Sequence, residues 1–517
     1  MVDDERGDRG AGQDRARDSE REQGYTGFTP DVLDRTVIAI PLLNRLRAEA
    51  PAHIFAVIID LNLSYAGEGG PRARARQLVE RAIAERGVDR AGQGINDAKS
   101  ELSDQYLFAR LEGQVLSYLV VLDDDSTEME GDDPMAAAPA GRSIHRIWPD
   151  FPIRALTIKS ISTVKADAAR ISFSAVGSDI VWAVVDSGIQ GDHPHFARWK
   201  NLDVSLPVRH RDFTNATEDP LVDGFGHGTH VAGILAGEQT GSEQAPIRAV
   251  ARHRDERGEV TYRTVKFDAI SGMAPRCRLV SMKVLDDEGN GEASNIIAAL
   301  EQIQRTNGNG RHIRIHGVNL SVGYDFDPDW FACGQSPLCI EVDRLVRSGV
   351  VVVVAAGNTG YGWQQSLARG AVASGQDLTI NDPGNAELAI TVGSTHREQP
   401  HIYGVSYFSS KGPTGDGRAK PDLVAPGEKI LSCAAGKKRV VAAAHAGDFD
   451  YVEDSGTSMA APHVSGVIAA FLSVRSEYIG RPDRVKEIFL SSATDLKRDR
   501  NFQGAGLVDL MRAIQSV

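Results

Sequence analysis

Ile180-Val181-Trp182-Ala183-Val184-Val185-Asp186-Ser187-Gly188 decides how this chain folds. An apolar run that stops at a carboxylate reads as a buried strand delivering Asp186 to a sheet edge, and Gly188 lets the chain turn away. Further on, His227-Gly228-Thr229-His230-Val231-Ala232-Gly233 opens on an imidazole, and its small residues Gly228, Ala232 and Gly233 suit a closely packed helix. Gly456-Thr457-Ser458-Met459-Ala460-Ala461-Pro462-His463 sets Ser458 just ahead of a second helical run, Val464 to Val474. Both side chains then sit at helix N-termini, whose ends converge on one cleft. A serine hydroxyl attacks a carbonyl poorly unless an imidazole takes its proton, and the imidazole needs a buried carboxylate to fix its tautomer. Asp186, His227 and Ser458 suit those roles.

Taken singly, Asp-Ser-Gly is an ordinary turn, Gly-Thr-Ser an ordinary loop, and His227 with His230 lacks the spacing of a helical His-x-x-x-His zinc pair. A fourth element agrees with the other three: Val351-Val352-Val353-Val354-Ala355-Ala356-Gly357-Asn358, a buried strand ending in an amide. In the order Asp, His, Ser, these segments resemble the subtilisin-like serine protease (subtilase) family, from about Thr163 to the C-terminus. The resemblance implies an α/β catalytic domain on a parallel sheet, and a serine endopeptidase working through an acyl-enzyme. Ser458 is then the nucleophile, His227 the general base and later acid, and Asp186 the group that orients the imidazole. Asn358 and the Ser458 backbone N–H become the oxyanion donors, which stabilise the transition state more than the ground state. His230 and His463 are expected to serve helix packing and capping.

Substrate contacts follow from the same resemblance. Gly317 to Gly323 resembles the strand whose edge pairs with an extended peptide, which makes Ser321, Val322, Gly323 and Tyr324 contacts. Asn381-Asp382-Pro383-Gly384-Asn385, followed by Ala389 to Gly393, resembles the wall and floor of the pocket for the residue before the scissile bond. Asn381, Asp382 and Gly384 are its candidate residues, with Gly384 keeping the pocket open. Asp382 stands where the family commonly has an aromatic residue; it either favours a basic substrate residue or belongs to an ordinary Asp-Pro-Gly turn. Many subtilases hold calcium through an aspartate in His-Pro-Asp, but here the sequence is His193-Pro194-His195, and a hard oxygen ligand is missing. No metal and no cofactor is expected.

The 517 residues, 41% of them hydrophobic, allow more than one domain. With 57 basic against 70 acidic side chains, a net charge of -13 argues against a nucleic-acid or anionic-membrane surface, and leaves protein or peptide as the partner. No run approaches the roughly 20 apolar residues of a membrane span, and Met1 to Gln23 lack a hydrophobic signal core, so the sequence as given reads as cytoplasmic, with secretion as the alternative. Four cysteines are too few for a disulfide scaffold. Cys333 and Cys339 flank a short loop that a bridge would clip in an oxidising compartment; elsewhere they stay free thiols.

Three regions are expected. Residues 1–28 form a charged tail that buries too little to order itself. Residues 29–150 form a small α/β domain, with strands at His53–Asn62, Tyr106–Leu111 and Ile144–Asp150, helices at Pro71–Arg86 and Gln114–Leu122, and an acidic linker at about 123–140. Residues 151–517 are the catalytic domain. The second region resembles the ferredoxin-like propeptides of subtilases, which implies a zymogen whose N-terminal domain binds the active-site cleft, with Ile153–Ile158 as connector; the alternative is an accessory domain. The insertion Glu238–Asp268 reads as a surface hairpin tuning access. Two other functions fit the same sequence: a catalytically silent peptide-binding scaffold, and an acyl hydrolase limited to self-processing.

Overall fold

The computed structural model describes residues 37–101, 103–125, 141–150, 159–214, 219–242, 245–254, 260–327, 332–366, 370–440 and 449–517. The 1–28 tail, most of the 123–140 linker and the 153–158 connector lie outside the described residues. The chain divides into two units, Met1–Arg154 and Ala155–Val517.

In the first unit, α1 (Ile40–Ala48) leads into β1 (Ile54–Leu61), α2 (Gly70–Arg86), β2 (Gly94–Ile95), β3 (Tyr106–Glu112), α3 (Gly113–Asp125) and β4 (Ile144–Pro149). Every strand pair is antiparallel and the order is β2-β3-β1-β4. From β1 onward this is the split βαββαβ connectivity of a ferredoxin-like sheet. Burial alternates along β1: Phe55, Val57, Ile59 and Leu61 pack with Leu78, Val79 and Ala82 of α2 and Leu116 and Leu119 of α3. Ile54, Ala56 and Ile58 point to the other face and stay half-buried. Pro71 starts α2, where its missing N–H costs nothing, and Gly87 ends it by donating to the Ile83 carbonyl. Asp123 departs from the linker reading. It is buried at the end of α3 and accepts the Ser143 N–H and Oγ–H and the Ile144 N–H, at 3.0, 2.7 and 3.0 Å, pinning the start of β4.

The second unit runs through β5 (Val181–Asp186), β6 (Arg211–Asp212), α4 (His227–Leu235), β7 (Ile247–Arg254), β8 (Val260–Phe267), β9 (Arg278–Lys283), α5 (Ala293–Thr306) and β10 (Gly317–Leu320). It continues with α6 (Pro337–Arg347), β11 (Val351–Ala355), β12 (Tyr361–Ser366), β13 (Gly370–Gly375), β14 (Ile390–His396), β15 (Leu423–Glu428), β16 (Ile430–Cys433), β17 (Tyr451–Asp454) and α7 (Thr457–Leu472). Its main sheet has the order β15-β14-β11-β10-β5-β9-β6, and all its pairs are parallel. Helices cover both faces, which is why the central strands read as unbroken apolar runs. Trp182, Val184, Val351 and Val353 face α4 and α7. Ala183, Val185, Val352 and Val354 face Ile296, Ala299, Leu300 and Ile303 of α5, spaced as one helical stripe, and Val342 and Leu345 of α6.

The insertion is more tightly integrated than a free surface hairpin. Its arms β7 and β8 pair antiparallel, and β7 also pairs with β17 in a four-stranded sheet, β16-β17-β7-β8.

Candidate active site

A parallel sheet brings the carboxyl ends of its strands to one edge, and the loops leaving that edge carry the chemistry. β5 ends on Asp186, which is fully buried, with Oδ1 2.8 Å from His227 Nδ1. The Ser187 N–H donates to the same oxygen at 2.8 Å. His227 is the first residue of α4. The helix end comes this close because Gly228 follows it: a Cβ there would lie 2.2 Å from the Gly188 carbonyl oxygen and 3.0 Å from Asp186 Cβ. Burial alone pushes the imidazole pKa down, but the Asp186 charge and hydrogen bond outweigh it, and the net shift is upward.

Ser458 occupies the first turn of α7. Its Oγ donates to the Ser321 carbonyl at 3.0 Å, and Ser321 Oγ donates back to the Ser458 carbonyl at 3.0 Å. Pro462 makes the second bond available. In an uninterrupted helix the residue-462 N–H would take the Ser458 carbonyl, and proline has none. Asn358 lies just past β11, and its Oδ1 accepts the Thr457 N–H at 2.9 Å and the Thr457 Oγ–H at 3.1 Å. Its Nδ2 protons are thereby left for the cleft. Thr457 Oγ in turn accepts the Gly357 N–H at 3.1 Å.

His227, Thr457, Ser458, Asn358, Asn381, Ser321, Val322 and Gly323 line one cleft of about 290 Å³. The sequence profile of the subtilase family matches residues 177–506, which carry all of these groups. The chain belongs to the subtilase family. Serine protease AprX of Bacillus subtilis is 30% identical over 385 residues, covering 72% of this chain and 74% of AprX. Subtilisin E of the same species is 29% identical over 356 residues, 69% of this chain and 70% of its own length. Pyrolysin of Pyrococcus furiosus is 31% identical over 332 residues, which span 56% of this chain but 21% of pyrolysin. The chain is thus a subtilisin-like serine peptidase, with proteins or peptides as substrates. Among its described residues no helix is long and apolar enough to cross a membrane.

Two residues expected in the pocket of this subtilase, Asp382 and Gly384, are not among those lining the cleft. Asp382 is buried and accepts Asn385 Nδ2–H at 2.9 Å, a contact within the turn. Its backbone pairs with Tyr324, at 2.9 and 3.0 Å. Gly384 does not hold a pocket open: a Cβ there would meet the Asn381 carbonyl oxygen at 2.7 Å and the Thr391 methyl at 3.2 Å, so glycine serves the tight turn. Asn381 does reach the cleft. It lies against Gly357, whose φ of +107° and lack of a side chain make room, since a Cβ would fall 1.6 Å from Asn381 Oδ1.

His230 and His463 are buried on backbone carbonyls, Nε2 of His230 3.1 Å from Val452 O and Nδ1 of His463 2.7 Å from Met459 O. His195 sits where the resemblance would place a calcium-binding aspartate. Burial, then the nearby His193, lower its pKa to about 3, so the ring is neutral. Its Nε2–H points at the Gly233 and Ala236 carbonyls, at 3.2 and 3.0 Å, and Nδ1 lies 3.0 Å from the Tyr451 hydroxyl. An imidazole donating to those carbonyls does not fit a hard cation. Cys277, Cys333, Cys339 and Cys433 are all buried free thiols.

Sequence reading passed over Asp223. Its buried carboxylate accepts the Ser187 Oγ–H, the Gly226 N–H and the Thr229 N–H at 2.9, 2.7 and 2.8 Å, and the Thr229 Oγ–H at 2.5 Å. It thus satisfies the N-terminus of α4, while Ser187 Oγ accepts the Gly228 N–H at 2.9 Å. Burial raises the Asp223 pKa despite these donors. The legible signal was an aspartate placed just ahead of a helix start.

Proposed function

We propose that this subtilase hydrolyses internal peptide bonds through an acyl-enzyme. His227 Nε2 takes the Ser458 Oγ proton as the Oγ–C bond forms, and Asn358 Nδ2–H and the Ser458 N–H receive the charge on the carbonyl oxygen. Collapse breaks the C–N bond and the leaving amine takes the proton from His227. Water then repeats the sequence in reverse, freeing the acid and Ser458. The observation that carries this reading is the 2.8 Å Asp186–His227 contact in a cleft shared with Ser458 and Asn358. Incubation with unfolded casein and a serine-directed phosphonate tests it. Wild type is expected to cleave casein and be labelled on Ser458, whereas Ser458→Ala does neither; a fully active Ser458→Ala protein overturns the assignment.

The first unit is proposed to act as a propeptide that binds the cleft until it is cut away near residues 150–164. Its ferredoxin-like topology supports this, as does the sheet face of Ile54, Ile58 and Phe108, which the unit's own core leaves out. Mass spectrometry is expected to show wild type losing its first ~150 residues and Ser458→Ala keeping them. Intact wild type, equally active with that segment deleted, would make the unit an accessory domain.

A further inference from the structure

Between Asn358 and Asn381, both of which line the cleft, the chain leaves the sheet edge and forms the β12–β13 hairpin. Tyr361 and Trp363 are two residues apart on β12 and share one face. Their cross-strand partners are Gly375 and Ala373, too small to shield a ring, and the two aromatics are 47% and 76% exposed. Tyr407, itself 68% exposed, extends the face: its ring meets Tyr361 edge-on at 5.7 Å and Phe408 at 5.4 Å. The root of this face is fixed. Gly360 N–H donates to the Phe408 carbonyl at 3.0 Å, and the buried Lys411 Nζ donates to the Gly360 carbonyl at 2.7 Å.

We propose that Tyr361, Trp363 and Tyr407 form a platform outside the cleft that binds aromatic and aliphatic side chains of an unfolded polypeptide substrate. It selects long unfolded chains over short peptides. The inference rests on the peptidase reading and deepens it. Continuity with the cleft identifies the occupant: Asn358 and Asn381, which bracket the hairpin three residues before Tyr361 and six after Gly375, both line the cleft, and three positions span about 11 Å of chain at most. A polypeptide leaving the cleft on this side meets the rings within a few residues. Exposed rings accept apolar side chains of many kinds, which suits a peptidase whose main recognition is main-chain pairing.

The test compares full-length wild type with Tyr361→Ser, Trp363→Ser and Tyr407→Ser combined, each titrated by phosphonate. A tetrapeptide anilide and reduced, carboxymethylated casein are the substrates. We expect anilide kinetics within about twofold of wild type, and casein KM raised about tenfold at unchanged kcat. Trp363→Phe should keep most of the casein affinity. Unchanged casein kinetics, or an equal loss on both substrates, would overturn the platform. So would a wild-type dimer that the variant dissociates in sedimentation, which gives the face to a second copy, or an altered self-cleavage rate with casein unmoved, which gives it to the N-terminal unit. Wild type inert on both substrates would overturn the peptidase reading itself. Should the triple variant fail to label, Trp363→Ser alone, at the most exposed of the three positions, decides by the same split.

Discussion

The seven-stranded sheet of the catalytic unit and the four-stranded sheet of the N-terminal unit use their strands in different ways. In the first, parallel strands are covered on both faces, and the proposed reaction centre lies at the strand ends, at Asp186, Ser321 and Asn358. In the second, antiparallel strands pack the unit's described core on one face, and half-buried Ile54, Ile58 and Phe108 lie on the other. One sheet is organised to carry out a reaction at its edge. The other, among its described residues, presents a surface of apolar side chains.

Substitutions at the parallel edge should have the largest effects. In subtilisin, loss of the nucleophile or base costs on the order of 10⁶ in turnover, and His227→Ala is expected to match that here with its circular dichroism unchanged. Asn358→Leu should lower kcat by about 10²–10³ with little change in KM, because its amide bonds the charged oxygen more strongly than the ground-state carbonyl. On the N-terminal sheet, Ile58→Asp should leave kcat of the processed enzyme within about twofold while weakening inhibition by the separated N-terminal segment added in trans; a loss of turnover on the scale of Asn358→Leu would break the comparison.

Behind the edge, Asp223→Ala should lower unfolding stability by about 1–3 kcal/mol in urea titration, because several buried donors at the start of α4 lose their acceptor. The smallest effect concerns pH. His227 must be neutral to accept a proton, and Asp186 raises its pKa, so kcat/KM should fall as pH drops through a midpoint above the ordinary value of about 6.5. In Asp186→Asn the residual activity should show that midpoint displaced downward. An unmoved midpoint would mean that Asp186 orients the ring without tuning it.

The sequence was most legible where one residue type has one use. Val351 to Ala355 and Val181 to Asp186 are strands because doubly covered parallel strands must be apolar throughout, and the side chains proposed to be catalytic follow at their ends. Acidic side chains were harder to read, because their role depends on which way a turn points them. Asp382 looked like a pocket residue and instead braces Asn385, Asp123 looked like linker and instead pins β4, and Asp223 went unnoticed although it holds α4. The same limit hid the Ser321–Ser458 contact. It joins residues 137 positions apart, and one of its two bonds uses the Ser458 carbonyl that Pro462 leaves free.

That pair of serines has a mechanical consequence. At rest each hydroxyl is held by the other residue's carbonyl, a crossed clasp between the proposed nucleophile and the edge proposed to pair with substrate. A hydroxyl has one proton, so Ser458 cannot give it to His227 while giving it to Ser321. Rotation about its Cα–Cβ bond toward the imidazole opens one half of the clasp, while the Ser321 Oγ–H bond to the Ser458 carbonyl keeps the two backbones in register. The same rotation uncovers the Ser321 carbonyl, an acceptor on the edge where a peptide would lie. In the proposed mechanism, arming the nucleophile and vacating a seat for the substrate's own N–H would therefore be one movement of one side chain.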